Sequence, residues 1–405
     1  MVPGALSRRA QGRPLKRPGV FAALALAALM VAFCAVPLPA RQAAPRLSQT
    51  IRGEGPLRAG AAQVQIKLED HPVLAGYAGR RRAQRVITPV YARALAIEAG
   101  GARAWIASID TLLIPPGLSI PGCGFLAATH THSGPGGLWD SFAAGFAGAG
   151  SFDKEQSKAV QAALGQALKE AESALAPATL MIAGEEWKQG PSRARSEGPI
   201  DTGFLVLRLQ GAMKPIATVI DYAMHPTSAP RDELSADWPG AAAAQFDEPL
   251  FVLQGALGNA TFDRAMSTEQ LGIRVAQEAQ LLLASAPQQP SLAVECAQRA
   301  VQLPAPQASL SVPRLFRRAF ANLLAIGFAP QAVETEISLG QLTLLGIPGE
   351  PVGQLGLRAR PKVLVSLANG YAGYVETEER WNKGDGESAR TDFGPSLARA
   401  LGLSR

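Results

Sequence analysis

The chain has four histidines, His71, His130, His132 and His225, and two of them lie two residues apart in ATHTHSGPGG, residues 128–137. Imidazole is the side chain best suited to ligate a metal or to move protons near neutral pH. In an extended chain, residues two apart project from one face. A strand that persists through His132 therefore points both rings into one cavity, where both bind one ion, or one binds it while its neighbour acts as acid or base. The glycine-proline turn that follows lets backbone and ligand approach closely. His225, before PTSAP, admits a structural or a functional reading on its own. Glu350 closes LTLLGIPGE, where a buried carboxylate is costly unless something neutralises it. An arginine would serve. So would a divalent cation shared with the histidines, completing a zinc-type set of N and O donors with a position left for water. Leu367 to Trp381, LANGYAGYVETEERW, brings Tyr371 and Tyr374 three residues apart among glycines. A phenol beside a cation acts as ligand or as oxyanion donor; by itself the stretch reads as a turn with aromatic packing.

Positioning these residues requires buried strands that end at them. Residues 102–110, 124–132, 215–225 and 342–350 are apolar runs of strand type, and chemistry in open α/β sheets gathers at strand carboxyl ends. Helical signals separate some of them. Asp153 to Leu175 places Ala, Val and Leu at three-to-four spacing, and Ser267 with Gln270 opens a second helix at capping-box spacing. The Pro- and Gln-rich stretch 286–313 reads as a surface crossing. These elements predict an α/β protein of mixed sheets layered with helices, its metal site at strand carboxyl ends. Asp110 and Asp237 are either orienters behind the ligands or capping and turn residues.

With 405 residues, 47% of them hydrophobic and 18% charged, the chain has the material for a large folded core. The formal charge of +6 suggests nucleic acid at first. Five of the basic residues, Arg8, Arg9, Arg13, Lys16 and Arg17, precede residue 20, and no acidic residue precedes Glu54. No basic face is clustered in the remainder, so nucleic acid is not an expected partner. The early charges flank the apolar run Val20 to Val36, an export signal. Its length leaves a membrane anchor and a cleaved signal peptide both open. Residues 1–40 are therefore read as signal or anchor, 41–57 as a connector and 58–405 as the folded domain, exported and either tethered or released. Cys34 lies in the export segment; Cys123 and Cys296 remain, and an oxidising compartment would allow them to pair.

Taken together, LAGYAG (74–79), PVYARALAIEAG (89–100), ATHTHSGPGG, AMHPTSAP (223–230), SADWPG (235–240), IPGEP (347–351), NGYAGYV (369–375) and ESARTDFGP (387–395) resemble, in order, the neutral/alkaline non-lysosomal ceramidase family. The resemblance spans about residues 58–396. It implies a zinc ion held by His130, His225, Glu350 and Tyr374, with His132 at the reacting carbonyl. It also implies an arginine from PSRARSEGP: Arg193, with Arg195 as the alternative. The implied activity is hydrolysis of an N-acyl amide in a ceramide-like lipid, at or near a membrane surface. Two departures stand out. Asn259, Thr261 and Phe262 replace the aspartate, serine and proline of a family motif, and Gly386 falls where the family has an active-site tyrosine. The family's C-terminal β-sandwich-like domain is not expected within these residues.

Overall fold

The structure is a computed structural model that describes residues 33, 35–39, 48–79, 81–308, 312–327 and 332–403. Most of Val20–Val36, expected from the sequence to be an export segment, lies outside the described residues. Among those described, no helix is long and apolar enough to cross a membrane.

Three five-stranded sheets form the body, each mixed. The first runs in the order Cys123–Ala128, Ala102–Ile109, Tyr91–Ala99, Arg58–Gln65, Ala176–Pro177. The second runs Gln49–Pro56, Ser291–Ala300, Val333–Leu339, Leu342–Gly346, Val363–Val365. The third runs Leu250–Leu253, Pro215–Tyr222, Gly203–Gln210, Thr179–Glu186, Gln288–Gln289. Their inner faces meet in one apolar core that includes Leu95, Ile97 and Phe125 from the first sheet, Val294, Ile337 and Leu344 from the second, and Leu207, Val219 and Phe251 from the third.

Helices cover outer faces. In the helix Lys154–Ser173, Val160, Ala163, Leu164, Ala167, Leu168 and Ala171 are buried, a stripe at the helical period packed on the first sheet. Asp153 caps it by accepting from the Gln156 N–H. The helix Thr268–Leu283 opens with both bonds of the Ser267–Gln270 capping box and, with Asp237–Ala243, covers the third sheet. This is the α/β architecture expected from the sequence.

Two expectations change. Part of the stretch read as a surface crossing is the strand Ser291–Ala300, which pairs with Gln49–Pro56 on one side and Val333–Leu339 on the other. Its buried residues alternate with half-buried ones, and the flanking prolines hid that period of two. Gln49–Pro56, the latter part of the expected connector, is also a strand, at the edge of that sheet.

Cys123 and Cys296 form a disulfide with Cα atoms 5.9 Å apart, joining the first and second sheets across 173 residues of sequence. A loop of that length loses about 5 kcal/mol of unfolded-state entropy in the chain-entropy account. Replacing both cysteines by alanine is therefore expected to lower unfolding free energy by roughly 2–5 kcal/mol, read as a lower urea midpoint. An unchanged midpoint contradicts the cross-link's role.

Candidate metal centre

Each sheet contains one parallel pair at its edge: Ala102–Ile109 with Cys123–Ala128, Pro215–Tyr222 with Leu250–Leu253, and Leu342–Gly346 with Val363–Val365. The chain leaving these pairs carries the site. His130 and His132 follow Ala128, His225 follows Tyr222, Glu350 follows Gly346, and Tyr374 comes after Val365. Glu350 and Tyr374 are then paired directly in a short parallel ladder.

The histidine pair does not converge by strand alternation. The strand stops at Ala128, and His130 takes a left-handed backbone, φ 66°, which costs a non-glycine residue on the order of 1–2 kcal/mol. Its N–H bonded to the Thr111 carbonyl and its Nδ1 2.7 Å from the Leu112 carbonyl hold it there. His132 is fixed by its own N–H to the Pro226 carbonyl and by Nδ1 at 2.8 Å from the Gly76 carbonyl. Gly76 must be glycine: its φ is 111°, and a Cβ would lie 2.5 Å from the His132 Cα. In His225, Nδ1 faces the carbonyls of Leu257 and Ala260 at 2.9 and 2.8 Å.

A carbonyl oxygen only accepts, so in all three rings Nδ1 carries the proton and Nε2 is left as a lone pair. Those lone pairs converge. His130 Nε2 lies 3.3 Å from His132 Nε2 and 3.3 Å from Glu350 Oε2, and His225 Nε2 lies 3.2 Å from the same carboxylate oxygen. The ligand atoms of the three histidines are within 4.8 Å of one another. Acceptors facing acceptors in a buried site repel unless a cation or extra protons lie between them. The donor set, neutral imidazoles with a carboxylate and a phenol, suits a borderline divalent ion.

Burial raises the Glu350 carboxyl, but positive charge carried at His130 and His225 outweighs it and holds the group well below the usual carboxylate range. Its other oxygen accepts from the Tyr371 hydroxyl at 2.7 Å. Burial, then the neighbouring rings of His130 and His225, pushes the His132 imidazole well down. His225 is also lowered by burial, against the pull of Glu350. The Tyr374 hydroxyl lies 3.2 Å from His225 Nε2, and its ionisation is pushed up by burial and then by Glu350.

Arg193, the preferred arginine in the sequence, is not at this site. Its guanidinium donates to the Gly190 and Ser192 carbonyls and to Asp263, with the side chain half exposed. Arg195 is the arginine brought in. The strand Ser192–Ala194 ends one residue earlier, the Arg195 N–H bonds the Asn259 carbonyl, and the guanidinium donates to the Tyr374 hydroxyl at 3.3 Å and to Glu387. Nothing in the spacing of two arginines two residues apart tells which lies beyond the strand's end.

Tyr371 is the functional neighbour that the sequence reading left outside the ligand set; its position three residues before Tyr374 was the available signal. Asp110 and Asp237 touch no imidazole. Asp110 accepts from the Tyr91 N–H and from buried Arg93, bracing the turn that presents Leu112. Asp237 accepts from Ser228 and from the Ala229 and Trp238 N–H groups, clamping the loop after His225. His71 bonds the Ala83 carbonyl, apart from the site.

Asn259 and Gly386, which stand where the resemblance leads one to expect other residues, are engaged with the scaffold. Asn259 donates to the Pro199 carbonyl and accepts from the Gly353 N–H, steadying the loop whose carbonyls hold His225. Gly386 has φ 61°, and a Cβ there would sit 2.5 Å from Glu376 Oε2, the oxygen that accepts from the Glu387 N–H.

No protein-family model matches the chain, and no curated protein matches it. Solved structures do. The crystal structure of neutral ceramidase from Pseudomonas aeruginosa superposes with a TM-score of 0.73 at 21% identity, covering 86% of this chain and 73% of that one. A structure of ceramidase complexed with C2 matches at TM-score 0.72 and 20% identity, with the same coverage. The fold is therefore that of these ceramidases.

Two outcomes are expected. The purified chain should retain a divalent ion unchanged as pH falls through the ordinary histidine value of about 6.5 and lose it only below. The lowered His225 imidazole stays neutral there, so protons compete for it later; release already at that value would contradict the arrangement. Gly386→Tyr should lower stability by roughly 1–3 kcal/mol, because it strains the backbone and displaces Glu376. An unchanged or raised melting temperature would show that the position tolerates the tyrosine.

Proposed function

We propose that the protein is a zinc-dependent hydrolase of an N-acyl amide, with a ceramide-like lipid as the simplest substrate. What carries the reading is the convergence of imidazole lone pairs and one carboxylate oxygen with every ring's Nδ1 proton already committed to backbone. His130, His225, Glu350 and Tyr374 would hold the ion. A bound zinc ion polarises a carbonyl and brings the acidity of water toward neutral pH.

The chain's own residues divide the remaining work. With its Nδ1 proton held by the Gly76 carbonyl, His132 presents a free Nε2, which suits a base. It would accept a proton from the attacking water and return it to the departing amine, so that the C–N bond breaks to give a carboxylic acid and an amine. Arg195, with its charge balanced by Glu387, would steady Tyr374 and add positive potential toward the developing oxyanion. The catalytic body is the 58–405 domain together with the edge strand Gln49–Pro56. The N-terminal basic and apolar segment supports an exported protein, tethered or released, and the disulfide accords with an oxidising compartment.

A second reading rests on Asn259 and Gly386. Part of the family's substrate surround is replaced by residues engaged with the scaffold, which favours a different amide or ester, or a zinc-binding homologue that holds a lipid or amide ligand without cleaving it.

The test is release of free amine from a panel of N-acyl amides, ceramides included, with zinc content measured in parallel. His130→Ala and His225→Ala should lose ion and activity together. His132→Ala should retain the ion and lose about 10²–10⁴ in kcat. Arg195→Ala should lower kcat while Arg193→Ala stays near the parent. Stoichiometric zinc with no cleavage of any amide or ester would favour the binding protein; no zinc at all would sink both readings.

A further inference from the structure

The helix Arg317–Gly327 lies apart from the histidine site and is amphipathic in an unusual sense. Ala321, Asn322 and Ala325 are buried against the body, but the outward face is apolar too. Phe316, Phe320 and Leu323 repeat at helical spacing and are 60%, 41% and 57% exposed, flanked by Leu315 and Ile326. Apolar side chains of this size grouped on one exposed face mark an interaction surface.

Three further observations say what covers it. The sequence from Ala300 to Val333 contains no acidic residue, and its only charges are Arg314, Arg317 and Arg318. All three line a groove of about 510 Å³ at the start of the helix, shared with Gln307 and Trp381. Arg314 and Arg318 are exposed and have no acidic partner among the described residues. Arginines at the start of a helix whose exposed face is apolar match the composition of a helix lying in the interface of an anionic bilayer. Finally, the end of the N-terminal apolar run is fixed to this same helix: the Asn322 amide donates to the Phe33 and Val36 carbonyls and accepts from the Leu38 N–H at 2.9 Å. The export segment and the helix thus meet at one place on the body.

We propose that residues 314–326 form an interfacial membrane-docking surface that lies in the anionic bilayer reached by the N-terminal apolar segment. Docking would also set the orientation of the histidine site. The short helical turn Phe142–Ala144, whose Phe142 is 92% exposed, packs against this helix. The segment continues to Gly148, whose carbonyl accepts from the Gly76 N–H, and the Gly76 carbonyl receives His132 Nδ1. If the hydrolytic reading holds, a lipid substrate enters beside the docked face; the docking itself does not rest on hydrolysis.

The test uses the full chain with Cys34→Ala, leaving the disulfide intact, and a fluorescent label on Leu323→Cys, on Phe316→Cys or, as a control, on Met213→Cys in an exposed turn. Vesicles of phosphatidylcholine, with and without phosphatidylglycerol, are added, and quenching by aqueous iodide is measured. Labels at 316 and 323 should blue-shift and lose most of their quenching with anionic vesicles, while the label at 213 stays quenched. Arg314→Gln with Arg318→Gln should restore much of the quenching at 323. A label at 323 that stays quenched while the chain sediments with vesicles overturns the proposal. So does one already protected before lipid is added, since the chain's own apolar segment or a second copy then covers the face. Equal protection by neutral vesicles, unaffected by losing the arginines, overturns the assignment to an anionic surface.

Discussion

The site depends on one arrangement of protons. Three imidazoles each give their Nδ1 proton to a backbone carbonyl, from Leu112, Gly76 and the Leu257–Ala260 turn, and so each turns a lone pair inward. Glu350, buried and ionised, faces the same space. No rotation of side chains relieves the repulsion while the carbonyls remain where they are, because the backbone accepts and never donates at those points. Positive charge must enter. Much of the surrounding structure serves to hold those carbonyls in place: the buried Arg93–Asp110 pair braces one turn, Asp237 clamps another, and Asn259 steadies a third.

Three sheets deliver these groups because each ends in an edge pair of parallel strands, and the chain leaving such a pair runs off the same end of its sheet. The shared core of the sheets fixes the ends relative to one another to the precision of close packing. Candidate ligands from three distant parts of the sequence therefore meet without any long loop having to find its place. Local strain is tolerated where the ligand requires it, as at His130, Asn369 and Leu367. Asn369 repays its left-handed backbone by bonding Leu126, Gly124 and Thr335, tying the segment before Tyr371 and Tyr374 to two sheets.

Around this centre the residues are coupled in a connected way. Gly386 makes room for Glu376, Glu376 holds the Glu387 N–H, and Glu387 pairs with Arg195. The glycine is one end of a line that reaches the site's arginine.

The ligand candidates, the four buried strands and the two capped helices were legible in the sequence, because residue type, short-range period and capping chemistry are local properties. His130, His132 and Glu350 could be singled out from residue type and spacing; Tyr374 was singled out only by the resemblance. What sequence could not contain was the course of the backbone between local signals. Where the strand stops at Ala128 decides that the histidines meet through a left-handed turn and not through alternation. Where the strand stops at Ala194 decides that Arg195 and not Arg193 faces Tyr374. Whether Gln49–Pro56 and Ser291–Ala300 are loops or strands depends on partners 240 or so residues apart, which pair only once the core has closed. Residue identity determined which groups could do chemistry; long-range pairing and packing decided which of them share a point in space, since distance along the chain carries almost no information about distance across a folded core.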